Sequence, residues 1–296
     1  MKTIQNILAL LLASASIQIV AAQEVDLFKT VDSTKQKEYV EATFKSTHLI
    51  NGHSIETTKA GLLDFRISHR FGLLNSGSYN AFGLDNATER LGLDYGITNN
   101  IGIGIGRSTF LKQMDGFLKV KLLRQSTGPN ASPISITGLA SVIIKTLKDS
   151  DPSLKYTTSD KTSYAYQLII ARKFSSSTSV QLMPTIVHYN IVPLANDPND
   201  LYSLGIGARQ KISKRLSITA EYYYQFNQFS GYYNSVAVGV DIETGGHVFQ
   251  LHFTNSTGLT ENTFITQTSG KWGNGDIHFG FNISRVFKIK KQKLSL

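Results

Sequence analysis

Cysteine is missing from all 296 residues. Disulfides, thiolate nucleophiles and cysteine-based zinc sites are therefore excluded. Proline is scarce, at 6 residues, so few strand ladders would be interrupted. Beyond the first two dozen positions there is no apolar run of the roughly 18 residues that a spanning helix requires. The hydrophobic fraction is 41% and the mean hydropathy is −0.10, too polar for a bundle of membrane helices. An HExxH spacing, a nucleophile elbow and a compact Ser/His/acid set are also lacking. The seven histidines, His48, His53, His69, His188, His247, His252 and His278, are scattered. No cofactor, metal site or catalytic residue is expected, and a membrane-embedded hydrolase stays only as a minor alternative.

What is present is a two-residue rhythm. Between Leu216 and Phe226, one face takes Leu216, Ile218, Ala220, Tyr222, Tyr224 and Phe226. The other takes Ser217, Thr219, Glu221, Tyr223 and Gln225. Side chains of a strand alternate sides, so such a segment has one apolar and one polar face. Further segments begin near Leu62, Arg90, Ile101, Phe117, Ile134, Tyr164, Val180, Leu201, Ser235, His247 and Ile277, giving about 12 strands. Their connections alternate between long and short, with Leu111–Gly116 and Gln125–Pro133 intermediate. The longest is Asn255–Asp276, while Asn99-Asn100, Ser213–Arg215 and Thr244–Gly246 are tight. A transmembrane antiparallel up-and-down β-barrel has this design, with short periplasmic turns and long outer loops; a soluble sandwich need not.

The polar face is charged with both signs. Asp64, Arg66, Arg70, Arg90, Asp94, Arg107, Lys119, Lys121, Arg209, Glu221, Asp241 and Glu243 are the expected lumen-lining residues. Turning a Lys or Arg toward lipid near the midplane would cost about 2–4 kcal/mol. The expected interior is either braced and filled by ion pairs or lined as a narrow polar channel. Ile101-Gly-Ile-Gly-Ile-Gly106 lacks the spacing and following helix of a dinucleotide loop, and reads as small residues on a crowded inner face, like Leu204-Gly205-Ile206-Gly207. Phe71, Phe110, Tyr164, Tyr189, Tyr202, Phe226 and Phe287 stand near strand ends and are candidates for interfacial girdles. His69 and His188 fall on apolar faces, as interface residues or as a sign of misplaced register.

Domain organisation follows. Residues 1–22 read as a cleaved signal peptide, with Lys2 ahead of an apolar core and Val20-Ala21-Ala22 before Gln23. Residues 23–61 form a mixed-charge periplasmic segment with a candidate strand over Thr43–Leu49 and a type I′ hairpin signal at Asn51-Gly52. That segment either covers the periplasmic mouth or folds into the lumen as a plug. Residues 62–287 form the barrel and 288–296 a basic tail. The net charge of +9 is dispersed and no recognition module accompanies it, so nucleic acid is not an expected partner.

Five stretches carry a family resemblance. They are Phe44-Lys-Ser-Thr-His-Leu-Ile-Asn-Gly-His-Ser54, Leu63-Asp-Phe-Arg-Ile-Ser-His-Arg-Phe-Gly72, Phe82-Gly-Leu-Asp85, Gly104-Ile-Gly-Arg-Ser108 and Asp115-Gly-Phe-Leu-Lys119. With them the chain resembles a family of outer-membrane β-barrel proteins of unknown function typical of Bacteroidota, Gram-negative bacteria, from about Thr43 to Phe287. The resemblance implies a barrel in the cell outer membrane and no assigned catalytic residues. Such a barrel would meet outer-membrane lipid, and periplasmic chaperones and the barrel-assembly machinery during biogenesis. One departure is that nine residues follow Phe287, where such barrels often end in an aromatic residue. The function expected is porin-like passage or binding of a small polar solute through a charged lumen; the alternatives are a non-conducting docking barrel and the hydrolase.

Overall fold

The computed structural model describes residues 36–289 apart from 150, 152 and 154. The signal-peptide reading at 1–22 lies outside the described residues, as does the basic tail beyond Ile289. Twelve antiparallel strands close into one barrel. They are β1 (Leu62–Leu73), β2 (Ala87–Gly96), β3 (Ile101–Ser108), β4 (Met114–Leu123), β5 (Ser135–Ile144) and β6 (Thr162–Lys173), followed by β7 (Thr178–Tyr189), β8 (Asp200–Lys211), β9 (Leu216–Gln225), β10 (Ser235–Thr244), β11 (His247–Thr254) and β12 (His278–Lys288). Each strand pairs with its neighbours in sequence, and β12 closes the ring on β1, with Ile283 opposite Ile67 and Phe287 opposite Leu63. Closure leaves no unpaired barrel edge, which a bilayer does not tolerate.

Directly opposed residues share a face, so the ladders fix which side chains look out. Leu93 of β2 opposes Ile105 of β3, and Tyr222 of β9 opposes Val236 of β10 and Ile206 of β8. Leu93, Ile105, Tyr222, Ile206, Leu251 and Phe253 are exposed on this outer surface. His69 belongs to it as well: its ring stacks on Phe281, with centroids 4.7 Å apart and planes at 6°, beside Phe71. His188, at the end of β7, bonds Asp200 Oδ1 at 2.7 Å. Both histidines thus lie on the outer face with the register as expected.

Tyr189 departs from the girdle expectation. Alternation places it in phase with Met183 and Val187, and all three are buried inside the barrel. The short turns, the start of β1 and the end of β12 lie at one mouth; the long loops lie at the other. At the short-turn mouth a two-residue ladder joins Glu38–Tyr39 to Ser126–Thr127.

Two segments occupy the interior. Residues 43–58 enter from the short-turn mouth, mostly buried, and residues 255–268 return from the long-loop mouth, all but two of them buried. Thr43–Leu49 forms bends in place of the expected strand. The hairpin closes on the pair His48 and His53 with a four-residue loop, Leu49 N–H donating to Gly52 O at 2.8 Å. A type I′ turn on Asn51-Gly52 would need positive φ at both residues, and neither has it. The loop amides are instead aimed at a wall carboxylate. The returning segment carries helix α1 (Glu261–Thr266), every residue of which is buried.

Candidate functional site

The tip of the hairpin is bound by the barrel wall. Glu221 of β9 accepts the backbone N–H groups of Asn51 at 2.7 Å, Gly52 at 3.2 Å and Ile50 at 3.4 Å. Carbonyls are met equally. Arg66 Nη2 and Asn282 Nδ2 donate to Ile50 O, and Gln250 Nε2 donates to Leu49 O. Gln181 accepts from Ile55 N–H and donates to His53 O. Arg70 Nη2 holds Asn51 Oδ1 at 2.6 Å. Lys119 Nζ donates to the carbonyls of Thr47 at 3.0 Å and Glu56 at 2.5 Å. Beyond the single bridge at His48 and His53, the hairpin backbone satisfies its polar groups on wall side chains, as burial demands.

Apolar contacts complete the seat. Phe44, Leu49 and Ile55 of the hairpin, Ile169, Ala171, Met183 and Tyr223 of the wall, and Phe264 and Ile265 of α1 form one buried cluster. Wall glycines make the space: a Cβ on Gly207 would run into Leu49, and one on Gly205 into Tyr223 and Met183. On the opposite side, Gly92 and Gly106 lie under the guanidinium of Arg90.

Between hairpin and wall, the carboxylates of Asp64 and Asp94 stand directly opposed on β1 and β2. Thr47 Oγ1 lies 3.4 Å and 3.3 Å from their Oδ2 atoms. His48 Nδ1 lies 3.1 Å from the same hydroxyl and 3.6 Å from Asp94 Oδ2. A hydrolytic relay uses both ring nitrogens, one toward the nucleophile and one toward the acid. Here both contacts fall on Nδ1, so the trio is not a relay. The rings of His48 and His53 lie 4.1 Å apart, and His53 packs edge-on against Phe117.

The two inserted segments meet at His53 and Glu261, with Nε2 to Oε1 at 3.1 Å. Burial pushes both imidazoles below their usual range; His48 is pushed further, with His53 and Arg66 adding to the effect. Burial pushes Glu261 up, but the bond from His53, its own backbone N–H and the field of Arg90 hold its carboxyl below the usual range. A neutral His53 carrying its proton on Nε2 fits both, since its Nδ1 has no partner. α1 is anchored further by Thr260 Oγ1 to Gln113 Oε1 at 2.6 Å, Asn262 Nδ2 to Ser163 Oγ at 2.8 Å, and Tyr189 Oη to Asn262 O at 2.8 Å. Below the hairpin, a cavity of about 630 Å³ opens at the short-turn mouth, lined among others by Phe44, Lys45, Glu56, Asp64, Lys121 and Val286.

Of the residues expected to line the lumen, Asp64, Arg66, Arg70, Arg90, Asp94, Lys119, Arg209, Glu221 and Asp241 are buried on the inner face. Lys121 and Glu243 face inward near the short-turn mouth. Lys121 reaches Glu56 at 3.6 Å, and Glu243 pairs with Arg209 at 2.9 Å and Lys45 at 3.0 Å. Arg107 is a correction. It shares the outer phase of Ile103 and Ile105 and opposes the exposed Leu91. It lies at the loop end of β3, its guanidinium donating to Lys112 O and, at 2.8 Å, to Thr146 Oγ1.

Sequence reasoning missed the neutral amides Gln181, Gln250 and Asn282, although they fall on the inner phase. It also missed Glu261, whose loop has no periodicity to read, and the apolar inner patch formed by Ile169, Ala171 and Met183. Among the described residues, no three His, Asp or Glu side chains converge to hold a metal ion.

A closed ring of twelve strands with an apolar exterior and a filled polar interior defines a membrane-bound β-barrel. A family model described as a membrane bound beta barrel domain, DUF5777, matches residues 44–287, and the chain belongs to that family. Similar solved structures include the NanC porin, at 9% identity and a TM-score of 0.47, covering 77% of this chain and 100% of that one. The KdgM porin is 12% identical with a TM-score of 0.46, covering 76% and 99%. An outer membrane channel from Pseudomonas putida F1 is 13% identical with a TM-score of 0.45, covering 79% and 98%. No curated protein matches the chain.

Proposed function

We propose that this is an outer-membrane barrel that passes a small polar solute when its two inserted segments are displaced, the short turns facing the periplasm. One observation carries the reading. Arg70 and Lys119 are buried under the hairpin, yet among the described residues neither has a carboxylate within ion-pair distance; their partners are amide oxygens and carbonyls. In an interior that is always dry, apolar side chains of similar volume would be as stable or more so. Charges that water or solute can reach when the hairpin leaves have a use that buried spectators lack. Selectivity would then come from the mixed-sign wall.

Liposome swelling with small sugars, amino acids and anions tests this. The intact barrel should be nearly impermeable, and a Glu221→Ala, Glu261→Ala double variant should admit small solutes. If the folded double variant stays impermeable to all of them, the passage reading fails. A docking barrel would then be favoured, since Tyr79 is 94% exposed beside exposed Phe82 and Leu84 on the first long loop.

A further inference from the structure

The two inserted segments share one apolar cluster and one polar contact, and they come from opposite mouths. Phe264 of α1 packs on Tyr223 with ring centroids 5.2 Å apart, and Tyr223 is the residue against which a Cβ on Gly52 of the hairpin would collide. Phe44, Leu49 and Ile55 complete the same cluster from the hairpin side. His53 and Glu261 join the segments directly at 3.1 Å. Neither segment has an extensive hydrogen-bonded ladder of its own; each is held by its neighbours. Removing either therefore strips packing and a polar partner from the other.

We propose that the β11–β12 loop and the N-terminal hairpin act as one coupled element, so that an event at the outer loop is transmitted across the membrane to the chain segment at the short-turn mouth. A species that engages the loop and draws α1 outward would leave Glu261 unable to bond His53 and open one side of the Phe44, Leu49 and Ile55 cluster. The hairpin then loosens at the opposite mouth. Coupling of this kind is reciprocal: freeing the hairpin must loosen α1 to the same extent. The proposal rests on the two segments closing the lumen, as in the passage reading, but it does not need any solute to pass.

The absence of native cysteine allows a clean test in the full chain. Ser54→Cys places a thiol in the buried hairpin, and Thr266→Cys places one in buried α1. Labelling rates with a small thiol reagent report exposure of each segment, and the shift in gel mobility on boiling reports that the barrel is folded. Glu261→Gln and, separately, Phe264→Ala should raise labelling of the hairpin thiol about tenfold. Glu221→Gln should raise labelling of the α1 thiol comparably. Ser269→Ala, an exposed position on the same loop, should change neither. If Glu261→Gln leaves the hairpin thiol as protected as before, or if only one direction responds, the coupling is overturned. Because no permeation is measured, a barrel that never conducts can still pass this test, and a conducting one can fail it.

Discussion

Glu221 accepts the backbone N–H of Asn51 at 2.7 Å, and this single wall carboxylate also receives the next amide, Gly52, and the preceding one, Ile50. Three consecutive amides converging on one side chain replace the turn that the Asn-Gly pair would otherwise form. Glu221→Ala should leave these N–H groups buried and unsatisfied, at about 1–3 kcal/mol each. The barrel strands do not depend on them, so the loss should be local. Hydrogen exchange of residues 48–53 should speed up by about two orders of magnitude while strand amides keep their protection. Glu221→Gln, which keeps one acceptor oxygen, should fall between. Equal exchange in both variants and the native chain would show that Glu221 does not hold the tip.

Arg90 spans the inner wall above Gly92 and Gly106 to pair with Asp115 through Nε at 2.8 Å and Nη2 at 2.5 Å. Both side chains are buried. Arg90→Ala strands a buried carboxylate, a loss of about 3–5 kcal/mol. The temperature at which the folded gel band disappears should drop clearly, and Arg90→Lys should recover only part of it, because a single ammonium cannot reproduce the two-pronged contact. An unchanged transition in Arg90→Ala would argue that the pair contributes nothing net.

The strands were readable because a period of two leaves a mark in every segment. Leu216–Gln225 came out with the faces expected, Tyr223 and Glu221 in, Tyr222 and Tyr224 out. The same rule explains the failures. Charge alone puts Arg107 inward, but its phase with Ile103 and Ile105 turns it outward. Its place at a strand end puts Tyr189 in a girdle, but its phase with Val187 turns it inward. Where phase and residue type disagree, phase wins, since a one-residue slip would turn over the whole strand. What the chain does inside the barrel left no such mark. The return of α1 into the lumen and the seating of Asn51 on Glu221 are long-range contacts between segments without periodicity. The hairpin signal at Asn51-Gly52 left a plug open as one of two readings, and the inner glycines, Gly205 and Gly207, mark a crowded wall.

The outer face gives a contrasting pair. Ile105, near the middle of β3, is exposed and opposes Leu93. Ile105→Arg should destabilise the folded barrel in lipid by about 2–4 kcal/mol, as expected of arginine at the bilayer midplane. Arg107→Ile, two residues on along the same face, should be close to neutral, because its guanidinium is exposed and bonds loop groups. Both are measured by denaturant titration in vesicles. Near-neutral behaviour of Ile105→Arg would place this face away from the hydrocarbon core.

Acid should loosen the hairpin through its two imidazoles. His48 and His53 are held below the usual imidazole value of 6.5, chiefly by burial. In the released hairpin they titrate near that value, so below it the released state binds more protons than the seated one. Stability of the seated hairpin is therefore full above about pH 6.5 and declines as the pH falls toward the lowered values. Glu261 adds a second loss of the same sign below its usual 4.5, since its seated value is also depressed. Neighbouring charges modify the effect of burial: Lys119, Arg66 and Arg90 oppose protonation of His48, while at His53 Glu261 and Asp94 favour it and Lys119 opposes it. Divided at each pH by the rate of the same thiol in the denatured chain, because only the thiolate reacts, labelling at position 54 should accelerate between pH 7.5 and 5.5. His53→Gln, which keeps a donor for Glu261 but cannot titrate, should flatten part of that rise, leaving the share due to His48. A normalised rate independent of pH over this interval would mean that neither imidazole is held below its released value when the hairpin is seated.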